Sequence, residues 1–210
     1  MVVIASWILY RYAAPTSWRE WSGAGLVQAF IIALYAEMYG FPLTIYLLTG
    51  FLGIDLPLTS YSGHLWATLL GYGATGAIIE MVLGLAFVFV GLALLIEGWR
   101  EVYRASREER LATDGLYGVV RHPQYLGIVL ALFGQLIHWP TVLTLVLFPV
   151  IVWVYVWLAR REEDQMIRKF GEEYLAYRQR VPMFFPRLRD WRRLVGAGRT
   201  SARDTTEVRP

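Results

Sequence analysis

The sequence contains no cysteine, which excludes a disulfide framework, a thiol nucleophile and any metal site built on thiolates. It is also poor in charge: 18% of its 210 residues are Asp, Glu, Lys or Arg, against 56% hydrophobic. A soluble domain carries about 25% charged residues. The sharper deficit is local. All 20 Lys and Arg fall at Arg11 and Arg19, in the stretch Arg100–Arg121, or from Arg160 onward, and none lies between Arg19 and Arg100. A water-facing surface rarely runs that far without a cation, whereas bilayer-spanning helices exclude them because a buried charge is costly. Met1–Tyr10 is apolar but lacks a basic n-region and a cleavage site, so it does not read as a signal peptide.

What is present fits the same picture. The net charge of +3 and pI near 9.2 could suggest nucleic acid. The cations instead gather beside apolar runs, as the positive-inside rule expects, where they can also meet anionic lipid headgroups. A hydrocarbon core needs about 20 apolar residues as helix. Gly25–Leu48 supplies one span, interrupted by Glu37 and by a break at Gly40-Phe41-Pro42. Thr49–Gly63 reads as a loop without cations. Leu65–Ile96 is longer than one span requires, so it is tilted or preceded by an interfacial turn. Tyr125–Ile137 and Thr141–Leu158 are joined by only His138-Trp139-Pro140 and must form an antiparallel hairpin, with Pro123 a favoured first helical residue.

These elements predict an all-α, polytopic transmembrane bundle of four full spans, with Met1–Tyr10 a possible fifth partial one. Both termini and every cation then lie on the cytoplasmic side. Beyond the last span, Met166, Phe170, Tyr174 and Tyr177 stand at spacings of four, four and three, which predicts an amphipathic helix over Glu162–Val181, nicked at Gly171. The tail from Trp191 is polar and reads as disordered.

Gly71-Tyr72-Gly73-Ala74-Thr75-Gly76 matches G-x-G-x-x-G, with Glu97 about 20 residues on. That fingerprint needs a strand before it and a βαβ unit around it; inside an unbroken apolar stretch it predicts close helix packing instead. Glu37 and Glu80 are carboxylates at apparent membrane depth, each either a site wall or a hydrogen bond between helices.

The informative segment is Thr113–Gly127. It stands Arg121, His122 and Tyr125 at the start of a membrane helix, either as an anion or carboxylate site or as an interface anchor. Arg160-Arg161-Glu162-Glu163-Asp164 lies at the same end of the partner helix. The tight hairpin brings the two ends within about 8–10 Å, one helix spacing. Glu162 and Glu163 can therefore face Arg121, His122 and Tyr125 across a cleft.

In order and spacing, Gly115-x-Tyr117-x3-Arg121-His122-Pro123-x-Tyr125-x-Gly127, Glu162-Glu163, Phe170-Gly171-x2-Tyr174-x2-Tyr177 and Val181-Pro182-x2-Phe185-Pro186 resemble the isoprenylcysteine carboxyl methyltransferase and phospholipid methyltransferase superfamily. The resemblance covers roughly Leu111–Pro186. Leu116 departs from the Pro that relatives often carry. With the apolar runs and the polar tail, this divides the chain into N-terminal transmembrane helices over 1–100, a methyltransferase-like region over 101–189 and a tail over 190–210. The resemblance also implies S-adenosylmethionine as methyl donor, with Tyr117, His122, Tyr125, Glu162 and Glu163 binding it. Arg121 would hold the donor's carboxylate or the site's geometry, and Glu163 or His122 would serve as a general base where the acceptor needs one. Arg178 and Arg180 lie in the segment that closes over the site in relatives, and either would face an acidic acceptor, itself lipophilic or membrane-partitioned. No metal or nucleic acid is expected. A sterol-reductase-like, NADPH-dependent enzyme and a non-enzymatic membrane protein that kept the fold are the competing expectations.

Overall fold

The structure, a computed structural model, describes residues 18–39, 43–54 and 63–187. Met1–Tyr10 and the tail from Trp191 lie outside these residues. The described residues form helices and contain no strand: α1 (Trp18–Tyr39), α2 (Leu43–Tyr46) continued by a π-helical turn (Leu47–Phe51), α3 (Leu65–Leu69), α4 (Gly73–Arg107), a 3₁₀ turn (Gly115–Gly118), α5 (Pro123–His138), α6 (Val142–Phe170) and α7 (Glu172–Arg180). By length and composition α4 and α6 can cross a membrane. A third span arises if Gly23–Met38 and Leu43–Phe51, bent by 71° at their break, act as one. Among the described residues there are thus two clear spans, or three, and not the four full spans expected. α5, at 16 residues, rises about 24 Å, short of the ~30 Å hydrocarbon core.

Several boundaries differ from expectation for local reasons. Leu65–Ile96 is interrupted at Leu70–Tyr72, where Gly71 and Gly73 take φ of +72° and +57°, a conformation glycine adopts without steric cost. These glycines make a turn, and Gly76 packs against Ala67, so the apparent dinucleotide fingerprint is a turn followed by a close contact. α4 continues through the polar residues to Arg107. α6 likewise continues to Phe170, because Arg160–Lys169 contains no helix breaker. The expected amphipathic helix is therefore split. Its first part belongs to α6, and Gly171 (φ +54°) ends that helix before α7 begins.

The chain forms two compact units, neither continuous in sequence: residues 1–77 with 139–158, and residues 78–138 with 159–210. In the first, Phe30, Ala33 and Leu34 form the buried face of α1. Glu37 accepts hydrogen bonds from the Thr44 amide (3.0 Å) and hydroxyl (2.9 Å). The Thr44 hydroxyl in turn accepts from the Val142 amide at 2.9 Å. The carboxylate thus satisfies one helix-start amide directly, and the Thr44 hydroxyl that it holds satisfies a second. Thr141 and Thr144 complete the start of α6 through reciprocal bonds between hydroxyls and amides.

In the second unit, α4 and α5 pack antiparallel along a seam of glycines. Gly84, Gly91 and Gly98 recur every seven residues on α4, facing Gly134, Gly127 and the Pro123–Gln124 start of α5. A Cβ at Gly91 would lie 2.5 Å from the Gly127 carbonyl oxygen, and one at Gly134 equally close to that of Gly84. Backbone therefore meets backbone, the arrangement small residues permit between membrane helices. Beside the seam Leu111, Tyr174, Tyr177 and Val181 form a buried cluster, flanked by Met166, Ile167 and Phe170. Glu80 is buried on α4.

Candidate functional site

Every residue of the site belongs to the second unit. The chain reaches α5 through the 3₁₀ turn, and Pro123, with no N–H to leave unpaired, begins the helix. The preceding amides are taken up by the C-terminal segment: Arg121 N–H donates to Pro182 O (2.9 Å) and His122 N–H to Met183 O (3.3 Å). This clasp fixes the backbone from which Arg121 and His122 project. Tyr177 adds a second tie, its hydroxyl donating to Tyr117 O at 2.7 Å.

Arg121, His122, Glu162 and Glu163 do come together. Glu163 Oε1 lies 3.2 Å from Arg121 Nη2 and 3.3 Å from His122 Nε2, while Oε2 lies 3.3 Å from Arg178 Nε. His122 Nδ1 lies 3.4 Å from Glu162 Oε2. The imidazole thus bridges two carboxylates, and the Tyr125 ring stacks on it at 5.6 Å with a 2° interplanar angle. The two acids differ. The Glu163 side chain is 5% exposed and surrounded by three cations, whereas that of Glu162 is 43% exposed.

Arg121 is the least satisfied group. Its side chain is 9% exposed, and only Nη2 is engaged; Nε and Nη1 are buried without a hydrogen-bond partner. An unmet buried donor costs roughly 1–3 kcal/mol, so the arrangement stores an unfilled demand for an acceptor. Arg121 lines a cavity of about 180 Å³ with Tyr117, His122 and Glu162, and with an apolar wall that includes Leu111 and Met166. Ser106 and Lys169, at its rim, are exposed to solvent.

Burial disfavours the charged form of His122, but the hydrogen bonds and charges of Glu162 and Glu163 outweigh it and raise the pKa above the ordinary 6.5. Donation to both acids requires the doubly protonated ring. A folded-state pKa above the unfolded one gives stabilisation that is complete below the ordinary histidine value and is lost as pH rises through the folded value. The melting advantage of the wild type over His122→Gln should therefore be largest below the ordinary histidine value and shrink as pH rises through the raised folded value. A constant difference across that range would argue against a charged bridge. Burial foremost also raises the pKa of Tyr117, Tyr174 and Tyr177, so these phenols remain neutral hydrogen-bond donors.

Not every expected residue reaches the cavity. Tyr125 acts on it through His122. Arg178 is half-exposed beside Glu163. Arg180 is exposed and donates to Ala176 O (3.2 Å) on its own helix. Other contributors had no individual signal. Arg110 lines the cavity and ties Glu101 (3.1 Å), Glu108 (2.5 Å) and Asp114 (3.2 Å) together. In the sequence it is one cation within a charge run. Among the described residues no group of three or more His, Asp or Glu could hold a metal ion.

Comparison with known proteins follows the same region. Residues 73–173 match the family model described as phospholipid methyltransferase, which extends the likeness back across the glycine face of α4. Protein-S-isoprenylcysteine O-methyltransferase B of Arabidopsis thaliana is 30% identical over 129 residues, 59% of this chain and 61% of the relative. Methanethiol S-methyltransferase 1 of Bradyrhizobium diazoefficiens is 38% identical over 97 residues, 45% of this chain and 31% of the relative. The cobalt-zinc-cadmium resistance protein CzcN of Cupriavidus metallidurans is 29% identical over 117 residues, 51% of this chain and 50% of the relative. The chain thus spans less than two thirds of the length of these relatives. No solved structure matches.

Proposed function

We propose that this chain, which is similar to isoprenylcysteine and phospholipid methyltransferases, is a multi-pass membrane methyltransferase. In this reading S-adenosylmethionine is the donor, and a lipophilic or membrane-partitioned molecule is the acceptor. The observation that carries this reading is the pairing of Arg121, with two buried N–H groups unmet, and the accessible carboxylate of Glu162 in one cavity. Together they suit the carboxylate and ammonium of an amino-acid group, through charge-assisted hydrogen bonds. The apolar wall suits the remainder of the donor. When bound, the donor supplies an electrophilic methyl carbon.

The chain's own task is then alignment and exclusion of water. Glu163 holds Arg121, His122 and Arg178 in place and has both oxygens engaged. His122 has both ring nitrogens engaged by the two acids. These engagements leave neither residue free as a general base, so the reading favours an acceptor whose nucleophile arrives ionised, such as a carboxylate. A phospholipid ammonium would first have to lose a proton. Arg178, half-exposed, is the cation placed to meet that acceptor. Both termini and the cavity lie on the cytoplasmic side in this reading, which the clustering of Arg and Lys supports.

Titration calorimetry of the detergent-solubilised protein with S-adenosylhomocysteine tests the donor site. Saturable binding is expected. Arg121→Lys, which keeps the charge and loses the fork of donors, should weaken it about 10- to 100-fold, and Glu162→Gln about tenfold. Binding of NADPH in its place, or unchanged affinity in both variants, would overturn the assignment.

A further inference from the structure

The first unit holds a second cavity, of about 200 Å³, lined by Glu37, Thr44, Thr141 and Trp139, with Met38 and Leu65 among its apolar walls. We propose that this cavity binds an alkylammonium group, with Glu37 as its counter-charge and Trp139 as its aromatic wall. The proposal stands apart from the donor site and does not depend on it.

Among the described side chains of this unit, Glu37 has no Lys or Arg beside it. Each Glu37 oxygen accepts one bond from Thr44, and a carboxylate has about four lone-pair sites, so acceptor capacity remains toward the cavity. No Lys or Arg occurs between Arg19 and Arg100, or between Arg121 and Arg160. The described side chains of this unit therefore include no cation of that kind to pair with Glu37. The walls decide the sort of cation that fits. One carboxylate with apolar neighbours falls short of the six or more oxygens that Ca²⁺ takes, and a strongly hydrated ion would lose its water against Met38, Ile45, Leu65 and Pro140. An ammonium bearing methyl or methylene groups offers those walls apolar surface while its charge meets the carboxylate. An indole beside such a cation adds an electrostatic attraction.

Trp139 is held for that purpose. Its ring lies directly over Gly63, where any Cβ would collide with the indole, and against His64, with centroids 5.4 Å apart at 64°. Its neighbour Pro140 is buried. The indole therefore stands in one place before any ligand arrives, which lowers the ordering cost of binding.

Radiolabelled choline, added to the protein in phosphatidylglycerol nanodiscs, is the direct probe. Saturable binding of one choline per chain is expected, displaced by tetramethylammonium and not by an equal concentration of sodium. Glu37→Gln keeps an oxygen for one of the two Thr44 donors and, in protein whose folded state is checked by its melting transition, should weaken choline at least tenfold. Trp139→Leu should weaken it several-fold. Displacement by short-chain phosphatidylcholine, but not by short-chain phosphatidylglycerol, would support the site with a lipid headgroup as its source. Displacement by free choline analogues alone would support it with a soluble ammonium. Absence of saturable binding in the wild type, or equal binding in a folded Glu37→Gln protein, would overturn the proposal.

Discussion

Replacing Glu163 with Ala is expected to destabilise the protein by about 3–5 kcal/mol and to abolish measurable donor binding. The stability figure rests on the inner contacts alone. Arg121 and His122 are buried with Glu163, with side chains 9% and 6% exposed, so removing the acid strands a buried guanidinium. Arg178, 48% exposed, is screened by water and adds little. A double variant separates structure from function. Arg121→Met combined with Glu163→Ala removes both buried charges and should recover much of the lost stability, yet it should not recover affinity for S-adenosylhomocysteine. Unfolding followed by tryptophan fluorescence gives the first quantity and calorimetry the second. A Glu163→Ala protein with wild-type stability would refute the role of this acid as the anchor of three cations.

The second large effect is expected at the glycine seam. In Gly91→Ala the new methyl would stand 2.5 Å from Gly127 O and 2.6 Å from the Ala131 nitrogen. Both are backbone atoms of a packed helix and cannot swing aside as a side chain can. Overpacking of this kind costs about 1–3 kcal/mol, and the effect should lie at the upper end because the whole of α5 has to shift. Gly25→Ala is the matched control: it lies in α1, where an added methyl would meet nothing within 4 Å. There the substitution should be neutral, or stabilising by about 0.5–1 kcal/mol, through the reduced backbone entropy of the unfolded chain. Equal melting temperatures for the two variants would contradict the close approach of α4 and α5.

The sequence makes some of this architecture plain and hides the rest for identifiable reasons. The missing cations between Arg19 and Arg100 reveal the membrane helices because hydrocarbon does not tolerate charge. The tight His138-Trp139-Pro140 link reveals that Arg121 and Glu163 belong to the same end of a hairpin. Helix limits are less readable, since polarity alone does not end a helix: α6 runs past its apolar stretch to Gly171, and α4 runs to Arg107, where the chain turns through Glu109 at φ +52°. Gly171 is visible as the break because only its conformational freedom is needed there. The periodicity of Gly84, Gly91 and Gly98 is also present, as a repeat of seven, but it passes for ordinary apolar composition until Gly127 and Gly134 are found opposite. The different exposure of Glu162 and Glu163 cannot be read from two adjacent acids. It depends on the angle of about 100° between neighbouring residues on a helix, and on which of the two that angle turns inward.

The two amide bonds from Arg121 and His122 to Pro182 and Met183 also carry a consequence for time. A ribosome produces the acid pair and the hairpin well before it produces Pro182, and α5 cannot acquire its clasp until that stretch has left the exit tunnel. Until then the helix start carries two unclaimed amides, and the walls from α7 do not exist. A nascent chain held in the membrane short of this point has its spans but no finished pocket, so competence to bind a ligand there arrives abruptly, once Pro182 and Met183 are free to pair.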